Sequence, residues 1–166
     1  VNEFSSFARM PRPLFKRINI VEVINRSVDF VKMSSNNQIN FKTDSEKLVI
    51  NGDAEQLNRV FINLIKNSEE SFLDVIQKNP NFKGKIEIEI VSINDYIMIK
   101  LKDNGTGITD TIKAMTPYFT TKIKGTGLGL PIVNKILNEH SADFSIKNKK
   151  NKSGIDIEIT LPKINV

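Results

Sequence analysis

Three groups of residues in this 166-residue chain have types and spacings suited to holding a ligand, and the first of them suits a polyphosphate. The densest is Lys122-Ile123-Lys124-Gly125-Thr126-Gly127-Leu128-Gly129-Leu130, with glycines at alternate positions. Backbone without Cβ atoms lets a ligand come close, and the apolar run from Leu128 to Leu137 predicts a helix opening at this point. A helix that begins after bare backbone aims free N–H groups and the positive end of its dipole at a bound anion. Pro131 fits the first helical turn, where no N–H is needed. The spacing differs from that of the dinucleotide loop, G-x-G-x-x-G, and from that of the Walker loop, G-x-x-x-x-G-K-[ST]. A glycine-rich turn leading into a core helix would give the same residues, so this stretch alone does not decide.

The second group is Asp103-Asn104-Gly105-Thr106-Gly107. A carboxylate followed by glycines two and four residues on can accept a hydrogen bond from a ligand lying against bare backbone, although a plain Asp-Asn-Gly turn is an alternative. The third is Asn63 and Asn67, four apart and so one turn apart on one face if the segment is helical. Asparagine is a mediocre helix former, and two of them in an apolar helix need a reason. Exposed asparagines in an asparagine-rich chain would be the plainer one.

The elements that must position these groups follow from periodicity. Residues 1–10 have helical apolar spacing ended by Pro11 and Pro13, which suggests the tail of an element that starts upstream. A short strand is expected at 18–20, then a helix over 21–33 with Val21, Ile24, Val28 and Val31 on one face. After the Ser34-Ser35-Asn36-Asn37 turn come short strands at 39–41 and 48–50. The longest helical pattern spans 53–76, with Asp53 as N-cap and Leu57, Val60, Phe61, Leu64, Ile65, Phe72 and Ile76 as its buried stripe. Residues 85–92 and 97–102 alternate as paired strands around Asn94-Asp95, and the second runs straight into Asp103. The stretch 108–124 has weak periodicity and reads as a mobile loop able to close over a ligand. A helix over 128–139 and a closing hairpin of 144–147 with 155–161 complete the chain. The hairpin turn holds Lys147, Lys149, Lys150 and Lys152 without interleaved aromatics, which reads as a solvated turn rather than a nucleic-acid contact.

With 39% hydrophobic and 26% charged residues and a mean hydropathy of −0.24, the chain reads as an ordinary globular domain with one core. No apolar run approaches the roughly 18 residues of a membrane span. Cysteine is absent, which excludes disulfides and thiolate metal sites and suits a reducing cytosol. One histidine, His140, is too few for a metal site of protein ligands alone, and although an imidazolium would suit its place at a helix end, it reads as structural or neutral. The formal charge of +5 favours an anionic partner.

Taken in order, Asn63-x-x-x-Asn67, Asp103-x-Gly105-x-Gly107, Pro117-Tyr118-Phe119-Thr120-Thr121-Lys122 and Gly125-Thr126-Gly127-Leu128-Gly129-Leu130 resemble the N box, first glycine box, F box and second glycine box of sensor histidine kinases. These belong to the GHKL superfamily, and the resemblance covers residues 15–162. The opening residues 3–11 and the short Phe-Thr-Thr-Lys segment look most like the NtrY subgroup of nitrogen-regulation sensors.

The resemblance implies an α+β two-layer sandwich, the Bergerat ATP-binding fold, with a mixed, mainly antiparallel sheet packed on three helices. It implies ATP and Mg²⁺ as cofactors, with Asp103 taking the adenine amino group and Gly105 and Gly107 beside it. Asn67 would hold Mg²⁺ through its side-chain carbonyl, and Asn63 would assist at the phosphates or metal. Lys122 would reach the phosphates, Gly125, Thr126, Gly127, Leu128 and Gly129 would form the backbone cradle, and Phe119, Thr120 and Thr121 would anchor a lid. Residues 1–14 would be the tail of an upstream dimerisation helix and its linker, and 15–166 the catalytic domain. The acceptor histidine would lie upstream, so this piece would bind ATP as a monomer while the full-length protein acts as a homodimer. A response regulator would receive the phosphoryl group. A cytoplasmic place, with neither nucleic-acid nor membrane contact by this piece, completes the expectation.

Two departures from the family pattern are Ser68, where alanine is usual, and Pro131, where a small residue is common. The rival readings are a GHKL-type ATPase, in which a glutamate stands at the position of Asn63, and a nucleotide-binding module without transfer. An amide cannot serve as a general base, which favours the kinase.

Overall fold

A computed structural model describes residues 10–108 and 129–165. Strand β1 (Lys16–Asn19) leads directly into helix α1 (Ile20–Lys32). Strands β2 (Gln38–Thr43) and β3 (Val49–Gly52) follow, then helix α2 (Ala54–Lys78). Strands β4 (Lys85–Ile93) and β5 (Tyr96–Asp103) precede helix α3 (Gly129–Glu139), and strands β6 (Asp143–Asn148) and β7 (Ile155–Pro162) end the chain.

The main sheet has the order β2-β4-β5-β7-β6, while β1 and β3 form a separate two-stranded sheet. Only β2 with β4 is parallel; the other pairings of the main sheet are antiparallel. Among the described residues this is the mixed, mainly antiparallel sheet with three helices that the resemblance implied. The period-2 alternation explains it. Ile86, Ile88 and Ile90 of β4, Ile97, Ile99 and Leu101 of β5, and Ile155, Ile157, Ile159 and Leu161 of β7 are all buried on one face. The intervening positions put opposite charges across from one another, with Glu87 facing Lys102, Glu89 facing Lys100, and Lys100 facing Glu158. Such cross-strand pairs suit a wet face.

The helices cover the apolar face with matching stripes. Val21, Ile24, Val28 and Val31 of α1 are buried, as their spacing predicts. On α2 the predicted stripe is buried through Phe72, but Ile76 is 38% exposed. Its exposure follows from length. Phe30, near the end of α1, lies under the Lys66 ammonium at 5.8 Å, and the following turn reaches α2 at Glu69, which accepts from Asn37 Nδ2 at 2.7 Å. The last turns of the 25-residue α2 overhang these contacts, and Ile76 overhangs with them.

The first strand and helix begin earlier than periodicity suggests. Asn19 caps α1 by accepting from Val21 N at 3.1 Å, so the helix opens at Ile20 and the strand occupies 16–19 rather than 18–20. Asp53 caps α2 as expected, with Oδ1 accepting from Gln56 N at 3.1 Å. Its other oxygen accepts from Leu14 N at 2.9 Å, and Gln56 Nε2 donates to Pro11 O at 3.0 Å. The segment before β1 is thus fastened to the N-terminus of α2. Residues 1–9, and with them the predicted upstream helix tail, lie outside the described residues.

His140 closes this corner. Its Nε2 accepts from the Asp53 amide at 3.0 Å, so the ring proton sits on Nδ1 and is donated to Ile136 O at 2.8 Å. Phe15 packs edge-on against the ring with centroids 5.2 Å apart. The ring is buried and ties the end of α3 to the start of α2, a structural role.

Candidate functional site

The site is organised by two adjacent residues of α2, Asn67 and Ser68, which reach toward different elements. Ser68 faces the end of β5. Its hydroxyl donates to Asp103 Oδ2 at 2.5 Å, while Oδ1 of the same carboxylate accepts from Gly105 N at 3.0 Å and from Ile155 N at 3.2 Å. Asp103 is only 2% exposed. Three donors offset the cost of burying its charge and fix its orientation. A carboxylate has about four lone-pair directions, so about one is left for a ligand, and it can receive only a donor.

Close approach explains the glycines here. A Cβ on Gly105 would fall 1.9 Å from Ser71 Oγ and 3.3 Å from the Phe72 ring. Gly107 has φ of +80°, a left-handed conformation that glycine takes without strain. Asn104, between Asp103 and Gly105, ties the loop to the chain entering β4. Its Oδ1 accepts from Lys85 N at 2.7 Å and its Nδ2 donates to Lys83 O at 2.9 Å.

Asn67 faces the start of α3. A Cβ on Gly129 would stand 3.2 Å from Asn67 Oδ1 and 3.3 Å from its Nδ2, so the glycine is what lets the amide lie against the first helical turn. Asn63 sits one turn earlier on the same helix. The Nδ2 atoms of Asn63 and Asn67 are both shielded from solvent and lack a hydrogen-bond partner among the described residues. Leaving such groups unpaired costs about 1–3 kcal/mol each, which marks them as groups awaiting a partner. Each amide offers a donor and a hard carbonyl oxygen, and these are the atoms that a phosphate oxygen and a Mg²⁺ ion respectively take. No cluster of three or more His, Cys, Asp or Glu side chains suited to a metal occurs among the described residues. An ion here would need ligand oxygens to complete its shell.

Of the residues singled out in the sequence, the structure brings Asn67 to Gly129 and Asp103 to Gly105, with Asn63 and Gly107 flanking. Phe119, Thr120, Thr121, Lys122, Gly125, Thr126, Gly127 and Leu128 lie outside the described residues. Sequence reasoning passed over Asn148, Ser153 and Gly154, which hold the Asp103 loop from the β6–β7 turn. The signal was present in Ser153-Gly154, a turn pair directly before a strand. Ser68 was noticed only as a departure, and its hydroxyl proves to be the third donor to Asp103.

Residues 52–165 match the family model described as histidine kinase-, DNA gyrase B-, and HSP90-like ATPase. The chain is 35% identical over 170 residues to a Rickettsia felis protein named as an NtrY-like sensor histidine kinase, covering 100% of this chain and 27% of that protein. It is 29% identical over 163 residues to the nitrogen regulation protein NtrY of Azorhizobium caulinodans, covering 97% of this chain and 21% of that one. The chain therefore spans about a quarter of the length of these relatives. The nucleotide-free catalytic domain of histidine kinase ThkA superposes with a TM-score of 0.74 at 29% identity, over 90% of this chain and 96% of that domain.

Proposed function

The chain belongs to the family of histidine kinase-, DNA gyrase B-, and HSP90-like ATPases, and from that premise we propose that it is the ATP-binding catalytic domain of an NtrY-like sensor histidine kinase. Residues 15–166 form this domain, and residues 1–14 link it to a dimerisation domain that carries the phosphoacceptor histidine. The chain is monomeric alone, and the whole protein is a cytoplasm-facing homodimer that passes the phosphoryl group to a response regulator. None of the described helices is long and apolar enough to cross a membrane.

One observation carries the reading: the Nδ2 atoms of Asn63 and Asn67, one turn apart, are shielded and without a partner among the described residues, with Asn67 against Gly129, while the neighbouring Ser68 orients Asp103. Asp103 accepts a hydrogen bond from the exocyclic amine of adenine, and the bare backbone at Gly105 and Gly107 lets the base lie close. Asn67 holds Mg²⁺ through Oδ1, and Asn63 donates to a phosphate oxygen. Mg²⁺ supplies neutralisation of phosphate charge when bound. Gly129, at the start of α3, offers backbone N–H to the phosphates, joined by Lys122 and the glycines at 125 and 127. Phe119, Thr120, Thr121, Thr126 and Leu128 complete the binding set.

The protein's part in phosphoryl transfer is to position groups and neutralise charge. The amide of Asn63 cannot take a proton from water, which favours transfer to a histidine over hydrolysis. The test supplies ATP labelled at the γ-phosphate together with a separately made dimerisation domain of this protein. The expected result is acid-labile label on that domain, lost with Asn67→Ala. Release of free phosphate with no labelled domain would replace the kinase reading with the ATPase one.

A further inference from the structure

Asn148, the last residue of β6, is 40 residues from the Asp103 loop, yet its side chain ends on it. Its Oδ1 accepts from Ile108 N at 2.7 Å and its Nδ2 donates to Ile108 O at 2.7 Å. The two bonds copy the exchange between paired strand residues, and they fix which amide atom is which. The approach also accounts for Gly107, because a Cβ there would fall 2.5 Å from Asn148 Oδ1 in addition to its φ of +80°. The rest of the β6–β7 turn follows suit. Ser153 Oγ donates to Gly105 O, Ile155 N donates to Asp103 Oδ1, and a Cβ on Gly154 would fall 2.0 Å from Asp103 O. Lys149 N, bonded to Gly154 O at 3.0 Å, closes the turn itself.

We propose that Asn148 is a positioning residue for the adenine end of the nucleotide, holding Gly107 and Ile108 where the base must lie. The inference rests on the nucleotide reading above. The lysine-bearing turn is then not a bystander, since Asn148 within it and Ser153 and Gly154 just after it form the outer wall of the base site. Asn148 touches no ligand itself and acts through the loop backbone. Loss of its two hydrogen bonds lets the loop relax, so affinity falls at the base end whatever phosphates the ligand carries.

Two variants and one measurement on the unmodified chain test this. Asn148→Asp keeps size and the acceptor for Ile108 N–H but sets a carboxylate oxygen against Ile108 O, and Asn148→Ala removes both bonds. Affinities for ADP and for ATP with Mg²⁺ are measured by fluorescence titration, with thermal unfolding run alongside. The expected result is a drop of about tenfold for both ligands, by the same factor, as the bonds to Ile108 are lost in whole or in part. Folded variants that bind both ligands as tightly as the unmodified chain would overturn the proposal, and so would a loss confined to ATP. Hydrogen exchange needs no variant: ADP should slow exchange of the Ile108 amide in the unmodified chain, and an unchanged rate in the ADP-bound chain would also overturn it. Failure of the unmodified chain to bind either nucleotide would instead bring down the function on which the proposal stands.

Discussion

Asp103→Asn should separate the carboxylate's structural role from its role toward a ligand. The folded chain gives Asp103 three donors: Gly105 N at 3.0 Å, Ile155 N at 3.2 Å and Ser68 Oγ at 2.5 Å. Hydrogen bonds to a charged acceptor contribute about 1.5–3 kcal/mol, against about 1 kcal/mol for neutral ones. Neutralising the acceptor therefore weakens each by roughly 1 kcal/mol, and the amide's smaller desolvation cost returns part of that. A net loss of about 2 kcal/mol is expected, which for a chain of this size lowers Tm by about 4–8 °C. The amide can keep its oxygen toward the two backbone N–H groups, which turns its NH₂ toward Ser68 and the base. A donor then meets the amine of adenine, and ATP affinity should fall about 30-fold or more, equivalent to about 2 kcal/mol. Guanine, which presents a carbonyl there, should lose far less. Thermal unfolding without nucleotide gives the first number, and parallel titrations with ATP and GTP give the second. An Asp103→Asn protein that binds ATP within threefold of the unmodified chain and still excludes GTP would refute the reasoning.

Gly154→Ala should be among the most damaging single changes, because φ is +123° and the new Cβ would fall 2.0 Å from Asp103 O. Backbone strain and displacement together cost about 3 kcal/mol or more, seen as a fall in Tm of at least about 6 °C. His140→Ala removes the acceptor for the Asp53 amide and the ring under Phe15. A loss of about 2–4 kcal/mol in denaturant unfolding is expected, with nucleotide affinity per folded molecule unchanged, since the ring lies at the α2 N-terminus. Phe72→Ala empties the space that backs both Gly84 and Gly105 and should cost about 3–5 kcal/mol by the same measurement.

What the sequence made legible was what repeats. Isoleucines at every second position marked β4, β5 and β7, and the 3.6-residue stripe marked α1 and α2, because a one-sided core demands those periods. Asp53 was legible as a cap because its type and place agree. Asn19 was missed as one because Ile18 and Ile20 on either side of it read as a short strand. Ile76 has the right period and is exposed, since period tells which face a residue takes but not where the neighbouring elements end. In the candidate site, Asn63, Asn67, Asp103 and the glycines stood out by type and spacing. Asn148 and Ser153 did not, since a contact across 40 or 48 residues made by a turn side chain leaves no local pattern. The pairing of Ser68 with Asp103 was hidden for the same reason, although the residue itself was visible as a departure from the expected alanine.

The central claim is that the solvent-shielded amide nitrogens of Asn63 and Asn67 await a metal-bound polyphosphate while Asp103 awaits adenine. The most direct test is calorimetric titration of the chain with a non-hydrolysable ATP analogue, with and without Mg²⁺, beside Asn67→Ala. Micromolar binding that strengthens with Mg²⁺ in the unmodified chain, and that loses this Mg²⁺ dependence in Asn67→Ala, is the predicted result. Binding of equal strength in all these conditions, or none in any, would contradict it.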